Sequence, residues 1–315
     1  MILTVTLNAA LDVTYGVDVL RPGTTHRVST VVERAGGKGV NVARLLHALG
    51  EPVMATGLAG GATGARIRDL LAAAGVPEAF TSIDGESRRT VVVASDDGEP
   101  TGFWEPGPRV AAPEWSAFLE RYRGLLADAD VVALCGSLPP GVPDDGYATL
   151  IGLARSAGVA TILDADGGPA YLGIRARPDV VKPNARELST LHSIILRRRV
   201  QIGGVSEARE AAAAVRHLGA QTVVASLGAA GLLADTGDLV LHAAPPEVVT
   251  GNPTGAGDAC VAALARGLRS GRPWPERLRD AVALSAAAVA AAVAGELSPI
   301  DYERLHASVS VTELP

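Results

Sequence analysis

Apolar positions along the chain follow two rhythms. Residues 2–7 are partly alternating and partly continuous, which predicts a strand buried on both faces. Val42, Leu45, Leu46 and Leu49 recur at helical spacing, and Gly50 stops that run. Residues 53–58 predict another buried strand, 60–64 a glycine-rich turn, and 65–74 a helix ending at Gly75. Farther along, 131–135, 160–163, 180–181 and 222–226 read as strands, and 147–157 and 206–218 as helices. A hairpin pairs 231–234 with 238–242, and two closing helices start near Asp258 and Pro275. Strand–helix alternation of this kind predicts an α/β domain with a mainly parallel sheet covered on both faces.

Two segments break the rhythm: 12–34 and 88–105. Both look extended and antiparallel, the second with a turn at Asp96-Asp97-Gly98. The economical organisation is one domain over 1–315, with a small β-sheet lid built from both insertions. No repeat or low-complexity linker divides the chain. Arg197-Arg198-Arg199 reads as a solvated charge run.

Composition narrows the function classes. Hydrophobic residues make up 48% of the chain and aromatics only 3%, so helices pack on the sheet mainly through Ala, Val and Leu. The formal net charge of −6 carries no basic footprint, which argues against a nucleic-acid partner. An acidic protein can still hold phosphate in a local basic pocket. Cys135 and Cys260 have no metal-site spacing and read as buried reduced thiols. The first residues lack a basic leader pattern, and the longest apolar run, 281–295, is shorter than the roughly 20 residues that span a bilayer. A cytoplasmic address and no membrane partner are expected.

The candidate chemistry centres on Gly251-Asn252-Pro253-Thr254-Gly255-Ala256-Gly257-Asp258-Ala259-Cys260. Here glycines meet an apolar helical run, so backbone N–H groups and the positive helix end make an anion site. A carboxylate at such a junction repels phosphate unless it takes a proton from the group attacking that phosphate. The plain alternative makes Asp258 a helix N-cap. Gly36-Gly37-Lys38-Gly39 lacks the Ser or Thr of a Walker loop, and Gly57–Gly64 lacks a dinucleotide fingerprint. Glycines at that helix start admit a small polar ligand, and Asn41, one turn in, can offer an amide to hydroxyls. Arg88 and Arg89 are strand neighbours, so only one faces a cleft. Gly136-Ser137-Leu138-Pro139-Pro140-Gly141 and Lys182-Pro183-Asn184-Ala185-Arg186-Glu187 both follow strands at their carboxyl ends, where open α/β sheets bind ligands. Asn184 and Glu187 share a helical face and can hold a hydrated Mg²⁺ or merely cap a helix. Ser226-Leu227-Gly228 is weak by itself.

In order and spacing, these residues resemble the PfkB, or ribokinase-like, family of carbohydrate kinases. The sugar-phosphate branch is nearest: 1-phosphofructokinase, tagatose-6-phosphate kinase and the minor 6-phosphofructokinase. The resemblance runs through Thr6-Leu7-Asn8 with Asp12, Gly36–Asn41, Gly136–Gly141, Lys182–Leu188, Ser226–Gly228 and Gly255–Asp258. It implies a three-layer α/β/α sandwich with a β lid that closes over the sugar and often forms a dimer interface. It implies ATP and Mg²⁺, Asp258 as catalytic base, and Gly255, Ala256 and Gly257 as an anion hole. Asn184 and Glu187 match the Mg²⁺-phosphate motif that begins at Lys182, and Ser226 and Gly228 a nucleotide-side strand end. Asp12, Gly37, Lys38 and Asn41 match sugar-side positions, Arg88 the lid arginine that helps hold the substrate's phosphate, and Ser137 a motif near that group.

Several positions depart from the branch. Trp104 and Thr90 stand where Asn is usual, no Lys lies in 22–26, Asp166 replaces a common Ser, and 192–203 matches poorly. They leave the acceptor open among fructose 1-phosphate, tagatose 6-phosphate and fructose 6-phosphate. An unphosphorylated sugar or nucleoside is the alternative acceptor, and Trp104 can narrow a pocket or stack on a sugar face. From another class, the chain can be a sugar-phosphate-binding protein without turnover, although such a binder has no need of Asp258, Gly255, Gly257, Asn184 and Glu187 together.

Overall fold

β1 (Ile2–Thr6) is buried along its whole length and serves two cores: Ile2 joins one, while Leu3 and Val5 join the other. That alternation explains why a sandwich-centre strand reads as nearly continuous apolar sequence. The computed structural model describes residues 1–95, 98, 100–251, 254–291 and 297–315. The expected turn residues Asp96 and Asp97, Asn252 and Pro253 of the glycine junction, and 292–295 of the apolar run lie outside the described residues.

After β1 come β2 (Ala10–Val17), β3 (Thr30–Gly36), α1 (Lys38–Ala48), β4 (Val53–Gly60), α2 (Gly61–Ala73) and β5 (Thr81–Ile83). Next are β6 (Arg88–Ser95), β7 (Thr101–Trp104), α3 (Ala112–Leu126), β8 (Val131–Cys135), α4 (Gly146–Ser156) and β9 (Ala160–Asp164). The second half continues with α5 (Gly167–Arg175), β10 (Val180–Val181), α6 (Ala185–Leu196), α7 (Val205–Leu218) and β11 (Thr222–Ser226). It closes with β12 (Leu232–Asp235), β13 (Val240–Ala243), α8 (Ala256–Arg269), α9 (Trp274–Ala290), α10 (Pro299–Ser308) and β14 (Val311–Glu313).

The large sheet has the order β14-β13-β12-β11-β10-β9-β8-β1-β4-β5. From β5 to β11 neighbours are parallel; β12, β13 and β14 add antiparallel strands at the other end. One core contains Val40, Leu45, Val261 and Leu284 from α1, α8 and α9; the other contains Phe118, Leu150, Leu188 and Val215 from α3, α4, α6 and α7. The chain winds outward from β1 through β4 to β5, then outward the other way from β8 through β11. The two directions part between β1 and β8, and a crevice opens there beyond the strand ends.

The small sheet has the order β3-β2-β6-β7, drawn from the two segments that break the sequence rhythm. Its register corrects one expectation. β2 pairs with β3, and β6 with β7, in antiparallel fashion, but the central pair β2–β6 is parallel. Each antiparallel pair is local in sequence; the parallel pairing joins distant segments, so neither segment alone signals it. Leu11, Val13 and Ala35 face the core, with Tyr15 and Val91 packed beside them. Val31, Val32, Phe103 and Trp104 are exposed.

A second correction concerns 60–64. These glycine-rich residues are not a turn: α2 begins at Gly61. The Glu86 carboxylate accepts from the backbone N–H groups of Ala62 and Thr63, capping α2 from a distant segment. Among elements absent from the sequence pattern, α5 opens on Gly167-Gly168-Pro169, which reads locally as a loop. In contrast, α3 places Trp115, Phe118, Tyr122 and Leu126 at helical spacing, a signal present in the sequence.

Candidate active site

The carboxyl ends of five adjacent strands supply the polar residues of the crevice. Asn8 follows β1, Gly136 and Ser137 follow β8, Asp164 closes β9, Lys182 follows β10, and Ser226 closes β11. Asp164 is the electrostatic centre. Its Oδ1 lies 3.2 Å from Lys38 Nζ and 3.4 Å from Lys182 Nζ, and Lys38 also reaches Glu187 Oε1 at 3.7 Å. Asp164 Oδ2 is buried without a hydrogen-bond partner. Burial works against the charge on Lys182, but Asp164 holds its pKa above the ordinary lysine value. Lys38 behaves likewise: burial lowers it, and Asp164, Glu187 and Asp258 more than compensate. An acidic chain thus gathers two ammonium groups in one place.

Asp258 stands one residue farther into α8 than Gly257. Gly255 is the N-cap, with φ +95°, so Asp258 is not the cap. The N-cap Gly255 brings no side-chain cap, and among the described residues none is recorded, so the N–H groups of Ala256 and Gly257 at this helix start can face an anion. Lys182 Nζ lies 3.5 Å from where a Cβ on Gly257 would stand. Asp258 itself is buried, and Asn41 Nδ2 donates to its Oδ2 at 2.9 Å. Burial and then the neighbouring Asp164 push its pKa up to about 7, against the Asn41 hydrogen bond and the two lysines. A carboxylate tuned to that range can accept a proton near neutral pH.

The other expected residues come from β2, the start of α1, β6 and the loop after β8. Gly37 is the N-cap of α1, with φ +101°, and a Cβ there would stand 2.8 Å from Thr6 Cγ2. Asp12 tucks its carboxylate against Gly36, where a side chain would collide with it. Burial raises Asp12 to about 6, opposed by a Thr90 hydrogen bond, Arg88 and Arg44. Thr90, which stands where Asn was expected, is therefore a partner of Asp12. Arg88 donates from Nε to the Asn8 carbonyl at 3.1 Å, whereas the Arg89 side chain is exposed. Ser137 is exposed, and its Oγ accepts from Asn8 Nδ2 at 3.1 Å.

Asn184 and Glu187 make the helix cap that was one of their two readings, and Trp104 stands apart from the crevice. Asn184 Oδ1 accepts from Glu187 N, and Glu187 Oε2 accepts from Asn184 N, both at 2.9 Å, which is a reciprocal helix cap. Only Glu187 Oε1 turns toward Lys38. Trp104 does not enter the crevice: it is 69% exposed on edge strand β7, with its ring folded over Gly102. Ser226 and Gly228 form a turn, Gly228 at φ +61°, and Asn184 pairs alongside Ser226. Cys135 and Cys260 are free and buried, and burial pushes both thiols up.

Two central residues carried no site assignment in the sequence. Asp164 is a strand-end carboxylate, legible as a candidate only from its place at a carboxyl end. Asn8 lay within a motif but had no role.

Comparison with known proteins bears on this geometry. Residues 5–301 match the pfkB family carbohydrate kinase model. Phosphofructokinase-2 from Escherichia coli in complex with fructose-6-phosphate is 30% identical, with 97% of this chain and 98% of that chain covered and a TM-score of 0.86. The tetrameric inhibited form of the same enzyme gives the same identity and coverage, with a TM-score of 0.87. A Thermotoga maritima protein named a possible 1-phosphofructokinase is 25% identical, with 100% and 99% covered and a TM-score of 0.86.

Proposed function

The chain belongs to the pfkB family of carbohydrate kinases, and from that premise we propose that it phosphorylates a hydroxyl of a ketohexose phosphate, fructose 1-phosphate first. Tagatose 6-phosphate and fructose 6-phosphate come next. That the protein is an ATP-dependent sugar kinase follows from the family itself. The observation that supports the chemistry of this reading is the buried Asp258, raised to about 7, beside the glycine-capped start of α8 and the Lys38 and Lys182 ammonium groups.

In this reading the acceptor hydroxyl gives its proton to Asp258 as its oxygen attacks the γ-phosphorus. The bond to the ADP oxygen breaks in line, and ADP leaves. Asn41 holds the Asp258 carboxylate in orientation. The Ala256 and Gly257 N–H groups and Lys38 stabilise charge on the transferring group. Lys38 must then exchange part of its contact with Asp164 and Glu187 for phosphate. Lys182, Ser226 and Gly228 lie on the nucleotide side, and Asp12, Gly37 and Arg88 with Ser137 on the acceptor side.

Among the described residues no group of three or more His, Cys, Asp or Glu side chains is placed to hold a metal ion. A hydrated Mg²⁺ shared with ATP suits these residues, because Asp164 Oδ2 has no partner and Glu187 Oε1 approaches Lys38, the lysine that also meets Asp164. Glu187 and Asn184 would hold it through water, and it would neutralise charge on the β- and γ-phosphates.

We read 1–315 as one domain and the small sheet as a lid that excludes competing water. The exposed Val31, Val32, Phe103 and Trp104 support a homodimer through that lid.

The deciding experiment is a panel of sugars and sugar phosphates with ATP, read as ADP release. Turnover of a ketohexose phosphate at least tenfold better, in kcat/KM, than plain sugars and nucleosides is expected, roughly the worth of one charge-assisted phosphate contact. Equal or better turnover of unphosphorylated acceptors would overturn the substrate class and leave the kinase in place.

A further inference from the structure

We propose that Asn8 is a positioning residue that sets both phosphate-side groups, Arg88 and Ser137, as hydrogen-bond donors toward the acceptor. The inference rests on the reading of those two residues as acceptor-binding groups. Asn8 sits just past β1, at the point where the large sheet reverses its direction of winding. It is buried, and these contacts run to chain segments that are remote in sequence. Its Nδ2 donates to the Pro106 carbonyl and to Ser137 Oγ, both at 3.1 Å. Its own carbonyl accepts from Arg88 Nε, also at 3.1 Å.

These bonds fix the direction of the remaining protons. The amide has two hydrogens, and both are used. Ser137 Oγ is therefore an acceptor toward Asn8, and its single hydrogen is left to point elsewhere. The partner that suits an outward hydroxyl hydrogen is an anionic oxygen. Arg88 is held through main chain: Nε donates to the Asn8 backbone carbonyl and Nη1 to the Glu105 carbonyl at 3.5 Å, which orients the guanidinium plane and leaves Nη2 to a ligand. The Gly136 carbonyl next to Ser137 is held by the Tyr147 hydroxyl at 2.9 Å, so the loop itself is fixed.

Gly107 makes the fit specific. It has φ +96°, and a Cβ there would stand 2.2 Å from Asn8 Oδ1. The backbone after β7 therefore closes directly over the amide, whose Oδ1 is buried with no hydrogen-bond partner. One residue thus links the end of the large sheet, the start of β6 and the exit of β7.

The test uses steady-state kinetics with ATP and the best acceptor among fructose 1-phosphate, tagatose 6-phosphate and fructose 6-phosphate. Asn8→Leu keeps the volume and removes both donors. It should raise the acceptor KM about 30-fold, the equivalent of two ordinary hydrogen bonds, with ATP KM and kcat changed by less than about twofold. Asn8→Ser, which retains one donor, should recover part of the loss. Combined with Ser137→Ala, the Asn8→Leu effect should shrink; full additivity would overturn the link. An unchanged acceptor KM in Asn8→Leu, even with a lowered melting temperature, would reduce Asn8 to a structural residue. Should Asn8→Leu fail to fold, Gly107→Ala presses on the same amide and must show the same KM split, or the proposal falls. If Ser137→Ala and Arg88→Ala leave the acceptor KM alone, the acceptor reading itself fails and takes the proposal with it. If they raise it while Asn8→Leu does not, only the proposal fails.

Discussion

The two sheets place their polar and apolar residues in opposite ways. In the large sheet the strand interiors are buried, and charged or amide groups collect at one set of strand ends: Asn8, Asp164 and Lys182. In the small sheet the charged and polar positions Asp12, Arg88 and Thr90 lie within strands, while Val31, Val32, Phe103 and Trp104 face outward. A sheet covered on both faces can offer chemistry only where its strands stop. A sheet with one open face can vary its contacts without disturbing a core. We infer that phosphoryl transfer belongs to the first and acceptor choice and association to the second.

The largest effect expected on that division is at Asp258. Asp258→Asn should lower kcat on the order of 10²–10⁴-fold with ATP binding kept. In the wild type, kcat/KM should rise with pH through about 7, because the protonated carboxyl cannot accept the hydroxyl proton. A native pKa raised above the unfolded value also means that native stability declines as pH rises from the ordinary carboxylate range through about 7. The Asp258→Asn protein should therefore melt higher than wild type at pH 8 and about the same in acid, as thermal unfolding would show. Wild-type turnover in the purified variant would remove the base assignment.

Next comes the buried charge. Asp164→Asn leaves the Lys182 ammonium buried beside Lys38 without its partner, and should destabilise the fold by about 3–5 kcal/mol. Denaturant titration reads this directly; a change below about 1 kcal/mol would mean that solvent reaches Lys182 more freely than its burial implies.

In the small sheet, Arg88→Ala should reduce kcat/KM for a phosphorylated acceptor about 10- to 150-fold and hardly affect ATP KM. The exposed Arg89, changed in the same way, should do much less. A reversed order would place the acceptor's phosphate on the other face of β6.

Glu187→Gln discriminates cap from metal hold, since Gln still accepts from Asn184 N–H. The expected outcome is a several-fold rise in the Mg²⁺ concentration for half activity with the melting temperature retained. An identical Mg²⁺ titration would leave only the cap.

The smallest effect on the fold is expected at the open face. Trp104→Ser with Val31→Ser should shift stability within about 0.5 kcal/mol per site, yet weaken self-association in sedimentation velocity. Unaltered association would exclude this face as the dimer contact.

The sequence by itself determined the parts set by near neighbours. Alternation of strands and helices predicted the mainly parallel sheet, because side-chain period follows local backbone geometry. The Gly255–Asp258 junction was visible because positive φ and an open helix start need glycine there. Distant partners were decided only by the tertiary structure. Glu86 turned a glycine-rich stretch into the start of α2, and β2 met β6 in parallel across a long stretch of chain. Burial, and then Asp164 from the end of β9, raised Asp258 in α8, and Asn8 contacts both Ser137 and Arg88. Burial, charge coupling and hydrogen-bond direction depend on separation in space, and residue spacing along the chain does not contain that separation.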